Sequence, residues 1–141
     1  TEGGLDAIGT EAQTRPAVER LKAAGIHVSL FIDPVLTQVD QAHKLGADAV
    51  EFQTASYSEA VGAAAVAAEL DKLRAATAHA VGLGLHVHLG HGLNYQNVKP
   101  VVRIPGVEEL NIGHAIVSRA VFVGLERAVR EMKEAMQEHY P

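Results

Sequence analysis

Four short runs, separated by stretches of helical spacing, constrain this chain most. The runs are IHVSLFI (residues 26–32), ADAVEFQ (47–53), LHVHL (85–89) and VEELNI (107–112). Each is strand-length and bounded by glycine or turn-forming residues, and the fourth is the weakest because it carries two glutamates. Ahead of the first run, Ala17, Val18 and Leu21 recur at helical spacing over residues 10–24, and Gly25 is a suitable stop. Asp33-Pro34 reads as an N-cap with proline at the first helical position, opening a helix that ends before Gly46. Ser58 is expected to cap a long alanine-rich helix reaching Val81, closed by Gly82 and Gly84. A short helix is expected over residues 95–102. Gly113-His114 opens a last helical region running to His139, with Gly124 as a candidate joint. Residues 1–9 read as a glycine-rich loop.

Strands spaced by helices make βαβ units and a parallel α/β sheet, with right-handed crossovers. The phrases AAGIHVSLFID and GLGLHVHLGH share one shape: helix end, glycine, strand, polar residue. A closed barrel takes eight such units in about 250 residues. This chain offers four in 141 residues. An open four-stranded sheet leaves two edges of unpaired backbone. The chain is therefore either a small doubly wound domain or half of something larger. It begins at Thr1 in a polar Thr-Glu-Gly-Gly segment, so the expected true start lies upstream.

Composition narrows the partners. Hydrophobic residues make up 48% of the chain but aromatics only 4%, which suits an aliphatic sheet covered by helices. The net charge is −5 with no basic stripe, which argues against nucleic acid. There is no cysteine, hence no disulfide or thiolate chemistry, in keeping with a reducing cytoplasm. No apolar run approaches the roughly 18 residues of a membrane span, and no signal peptide is visible.

Parallel α/β proteins place chemistry at the C-terminal ends of their strands. Asp33, Glu51, Thr54, His91 and Gly113-His114 all fall there. His91 lies between two glycines. That can let a ligand approach a proton-trading imidazole closely, or it can be a plain turn with a solvated histidine. Asn111-Ile112-Gly113-His114 opens a helix whose free amides suit phosphate, unless it is an ordinary turn capped by Asn111. Glu51 in an apolar strand is costly to bury unpaired, so it is either a tuned carboxylate or a solvated edge residue. His86, His88 and His91 form H-x-H-x-x-H, but no further ligand completes a metal site, and polar lining or surface is the better account of His86 and His88. The charged final helix reads as a solvated face.

The segments TEGGLD, VSLFID, GHGLNYQNV and ELNIGHAIVSRAVFVGL together resemble the pyridoxine 5'-phosphate synthase family, in register over essentially the whole chain. The resemblance implies a TIM-type (β/α) barrel with extra helices, assembled as a homo-octamer built from dimers. This chain would be its C-terminal half, a single segment over residues 1–141, with the first four strands absent. It implies condensation of 3-amino-2-oxopropyl phosphate with 1-deoxy-D-xylulose 5-phosphate to pyridoxine 5'-phosphate, phosphate and water, in the cytoplasm and without an organic cofactor. The family's proton-donating histidine falls on His91, and the glutamate that stabilises the transition state falls on Glu51. Gly92 matches a substrate contact, and Gly113 with His114 matches the phosphate-binding pair. The family's earlier catalytic histidine and glutamate have no counterpart here, so the chain alone is expected to be inactive. Two alternatives remain: another phosphosugar-binding barrel such as an aldolase or isomerase, and a non-catalytic half-barrel that associates with another chain. Lys44, Lys72 and Lys99 fall on helices or loops rather than strands, which counts against an imine-forming aldolase.

Overall fold

A computed structural model describes residues 3–137. The ends of the chain, including Thr1, Glu2 and His139, lie outside the described residues. The order of elements is α1 (Glu11–Ala23), β1 (Ser29–Ile32), α2 (Leu36–Lys44), β2 (Ala49–Gln53), α3 (Ala55–Glu59), α4 (Ala63–Gly82), β3 (His86–Gly90), α5 (Val98–Val102), β4 (Val107–Asn111), α6 (His114–Val123) and α7 (Leu125–Gln137). The four strands form one parallel sheet in the order β1-β2-β3-β4.

That order separates the two architectures left open by the sequence. A doubly wound sheet reverses its strand order and is covered on both faces. Here each strand is added beside the last, so right-handed crossovers put every helix on the same face. The result is a segment of barrel wall. Strand side chains alternate between the faces. Leu30, Ile32, Val50, Phe52, Val87 and Leu89 are buried and form the helix-covered core. The other face carries Phe31, Glu51 and His88 in one row of partners, continued by Glu109. Above it lie Gln53, Gly90 and Asn111.

Helix α4 explains the alanine-rich stretch. It buries Leu70, Leu73, Ala76, Thr77 and Ala80, and the small residues bring it close to the sheet. His79 Nε2 lies 2.7 Å from Asp40 Oδ1, joining α4 to α2. Asp48 accepts from the Val28 amide and pairs with Lys22, and that lysine holds its carboxyl below the usual carboxylate range.

Three local expectations are corrected. Helix α2 begins after Val35, not at Asp33-Pro34, because the Val35 amide donates to the Asp33 carbonyl at 2.7 Å and the Asp33 carboxylate accepts from Gly4. Ser58 caps nothing: it sits inside α3, its own amide donating to Thr54 O, and α4 starts only after Gly62 at φ 91°. The expected helix over 95–102 is shortened to α5, because Asn94 Oδ1 accepts from the amides of Gln96 and Asn97 and holds a turn there. Gly124, at φ 84°, is the joint between α6 and α7. Among the described residues, no helix is long and apolar enough to cross a membrane.

Candidate active site

The C-terminal ends of β3 and β4 open on one cleft of about 610 Å³, lined by His91, Gly92, Leu93, Asn94 and residues 111–115. That volume lies within the range of small-molecule sites, about 300–1,000 Å³. Four of the five residues to which the family resemblance attaches roles, His91, Gly92, Gly113 and His114, line it together. The fifth, Glu51, reaches it indirectly. Its Oε2 accepts a hydrogen bond from Asn111 Nδ2 at 2.9 Å.

His91 stands at φ 78°, the only described non-glycine residue with a positive φ. Such a backbone costs on the order of 1–3 kcal/mol and persists only where neighbours fix it. The neighbours are visible. Thr54, fully buried, has its Oγ1 2.8 Å from Gly90 O and 2.5 Å from His91 O, and its amide donates to Gly90 O. Gly92 follows at φ 80°, and a Cβ there would stand 2.7 Å from Ser58 Oγ. Asn97 Nδ2 donates to Gly92 O at 3.1 Å, and Asn97 Oδ1 accepts from the Asn94 amide. The turn that presents the imidazole is thus tied down on several sides. Ser58 Oγ has no hydrogen-bond partner beneath it.

The β4 side is built differently. Gly113 is the N-cap of α6, at φ −105° and ψ −64°, with no side-chain cap bond. A Cβ added there would meet nothing within 4 Å. Neither backbone nor packing asks for glycine, and the amides of the first turn have no intrahelical partner. The site can therefore present backbone N–H groups and a helix N-terminus to an anion, beside two histidines. Asn111 does not cap this helix, since its amide is engaged by Glu51.

The H-x-H-x-x-H histidines do not converge. His86 Nδ1 pairs with Glu108 at 2.9 Å at the far end of β3, whereas His91 lies beyond the strand. No group of three or more metal-ligating side chains occurs among the described residues. Lys44, Lys72 and Lys99 lie on α2, α4 and α5, and none lines the cleft. Sequence reasoning missed the supporting roles of Thr54, Asn97 and Asn111. Thr54 and Asn111 were visible as polar residues at strand ends, but their partners lie 36 or more residues away in the chain.

Comparison with known proteins bears on this arrangement. The family described as "Pyridoxal phosphate biosynthesis protein PdxJ" matches residues 1–138. The chain is 57% identical over 136 residues to the pyridoxine 5'-phosphate synthase of a Synechococcus species, covering 96% of this chain and 57% of that protein. It is 53% identical to the enzyme of the same name from a Cyanothece species, with 97% and 57% covered. It is 52% identical to that of Syntrophotalea carbinolica, with 95% and 56% covered. The chain thus spans a little over half the length of these curated relatives. Among solved structures, the crystal structure of the Amycolatopsis orientalis BexX/CysO complex aligns with a TM-score of 0.52 at 18% identity, covering 92% of this chain and 52% of that one, a likeness of fold alone. With a family match over almost its whole length and relatives at this identity, the chain belongs to the PdxJ family of pyridoxal phosphate biosynthesis proteins.

Proposed function

We propose that this chain forms the C-terminal half of a (β/α) barrel pyridoxine 5'-phosphate synthase and supplies one side of its active site. The reaction is the condensation of 3-amino-2-oxopropyl phosphate with 1-deoxy-D-xylulose 5-phosphate, giving pyridoxine 5'-phosphate, phosphate and water. The observation that carries this reading is the single cleft uniting His91, Gly92, Gly113 and His114, with Glu51 tied to its wall. Imine formation, loss of water and phosphate, and ring closure each need protons moved. His91 is the proton donor, presented by a fixed turn. Glu51 stabilises positive charge that develops on the substrate. The first-turn amides after Gly113, together with His114, hold a phosphate group, and Gly92 lets substrate approach the backbone.

The isolated chain is inactive in this reading, because the other strands of the barrel carry the remaining proton-handling groups. Val117, Val121, Phe122 and Leu125 are exposed apolar residues, which supports a working form that is a larger assembly, with the family's octamer as the proposed state. The test uses a full-length chimera in which this segment replaces its counterpart in the Synechococcus synthase. The chimera should turn over both substrates, whereas the isolated chain should not. His91→Ala in the chimera should lose turnover by about two to four orders of magnitude while inorganic phosphate still binds. Unchanged turnover would remove His91 from its role.

A further inference from the structure

Glu51 starts in one row of the sheet and ends in another. Its register partners are Phe31 on β1 and His88 on β3, one row below Gly90 and Asn111. Yet its carboxylate has climbed to the upper row. A Cβ built on Gly90 would stand 2.1 Å from Glu51 Oε1 and 3.2 Å from its Cδ. Gly90 is not among the glycines with positive φ, so its backbone does not require glycine. What the missing side chain makes room for is this carboxylate, crossing β3 to reach Asn111. There Oε2 accepts from Asn111 Nδ2 at 2.9 Å.

Asparagine is a poor strand former, and Asn111 caps no helix, so local structure does not account for it. A bond from an amide N–H to a carboxylate is charge-assisted and directional. Aspartate at the same place would face Glu51 with like charge, and alanine would let the glutamate swing. We propose that Asn111 is a positioning residue, which holds the Glu51 carboxylate across Gly90 and aims it into the cleft that Asn111 itself lines. This rests on the reading of Glu51 given above.

The test again uses the full-length chimera. Asn111→Ala should lower kcat about tenfold and Asn111→Asp about a hundredfold, with KM for both substrates changed less than twofold, because orientation of a reacting-state contact is lost rather than ground-state binding. Gly90→Ala displaces the same carboxylate, so Asn111→Ala should add nothing in that background. A raised KM with kcat intact, or full additivity with Gly90→Ala, would overturn the proposal. Crystal structures of the chimera and its Asn111→Ala variant read the geometry without any assay. The carboxylate should leave its place beside Gly90, and a carboxylate that stays there also overturns the proposal. Failure of the functional reading looks different: Glu51→Gln would then retain full kcat, while the crystallographic comparison still decides whether Asn111 holds the side chain.

Discussion

The two walls of the cleft are held by different means. At the mouth of β3, His91 and Gly92 both stand at positive φ, and Thr54, Ser58 and Asn97 surround them. At the mouth of β4, Gly113 has an ordinary negative φ and open space around it, and α6 buries none of its residues. Phe122 and Val121 on that helix are 84% and 79% exposed. The first wall is locked by the chain's own interior. The second keeps a glycine that the fold does not require, in keeping with the phosphate-binding role proposed for it. Two glycines of one cleft thus differ in what the fold asks of them: backbone and packing require one at Gly92, whatever else it does, and neither requires one at Gly113.

Substitutions at the β3 mouth should therefore act on stability. Gly92→Ala places a Cβ on a left-handed backbone and drives it against Ser58, so it should cost about 2–4 kcal/mol, read as a lowered urea midpoint of the chimera. A midpoint unchanged within error would show that the turn is not locked. Thr54→Val keeps the shape and removes the hydroxyl that serves Gly90 O and His91 O. Gly90 O keeps the bond from the Thr54 amide, so the expected loss is about 0.5–1.5 kcal/mol, that of one hydrogen bond. Hydrogen exchange should quicken in residues 91–97 before it does in β2. Faster exchange spread evenly over the sheet would mean that Thr54 serves the fold rather than the turn.

How much of this was legible beforehand follows the range of the interactions. The four strands and most helix ends could be read because they rest on local patterns: apolar runs, and glycines such as Gly25, Gly46 and Gly124 that end or join helices. Where reading failed, a local turn competed with the helix for backbone groups. The Asn94 side chain holds one before α5, and the Asp33 backbone carbonyl holds one before α2. The break between α3 and α4 falls at Gly62, a glycine that the alanine-rich pattern around it masks. Single-sequence patterning gave Glu51, His91 and Gly113 only as candidates with bland alternatives, and it was the family resemblance that attached roles to them. The bond between Glu51 and Asn111 was beyond reach. It depends on the register of three strands and joins residues 60 apart.

The β4 mouth should respond in the opposite way. Gly113→Ala has a permitted φ and no neighbour to strike, so unfolding midpoints should move by less than about 0.5 kcal/mol. Affinity for inorganic phosphate should nevertheless fall about tenfold as the Cβ crowds the first-turn amides. Calorimetric titration beside a denaturation curve reads both quantities from one preparation. If Gly113→Ala destabilised the protein as Gly92→Ala does, the distinction between the two walls would collapse.

The smallest effect is a pH response confined to the β4 side. Glu131 on α7 accepts two bonds from Arg119 on α6, at 2.7 and 3.2 Å, and a third from Arg127 on its own helix. The Arg119 guanidinium first, then that of Arg127, pulls its carboxyl down to about 2 from 4.5. A carboxylate depressed by folding stabilises the folded form fully above its unfolded value, and that contribution drains away as pH falls toward the folded one. The docking of α6 on α7 should therefore weaken between about pH 4.5 and 2. Hydrogen exchange, corrected for its intrinsic pH dependence, should show α6 losing protection in that window ahead of the strands. Glu131→Gln should give α6 the same protection at both ends of the window. Acid loosening that survived Glu131→Gln would place the weakness of this wall elsewhere than in the Arg119–Glu131 ion pair that ties α6 to α7.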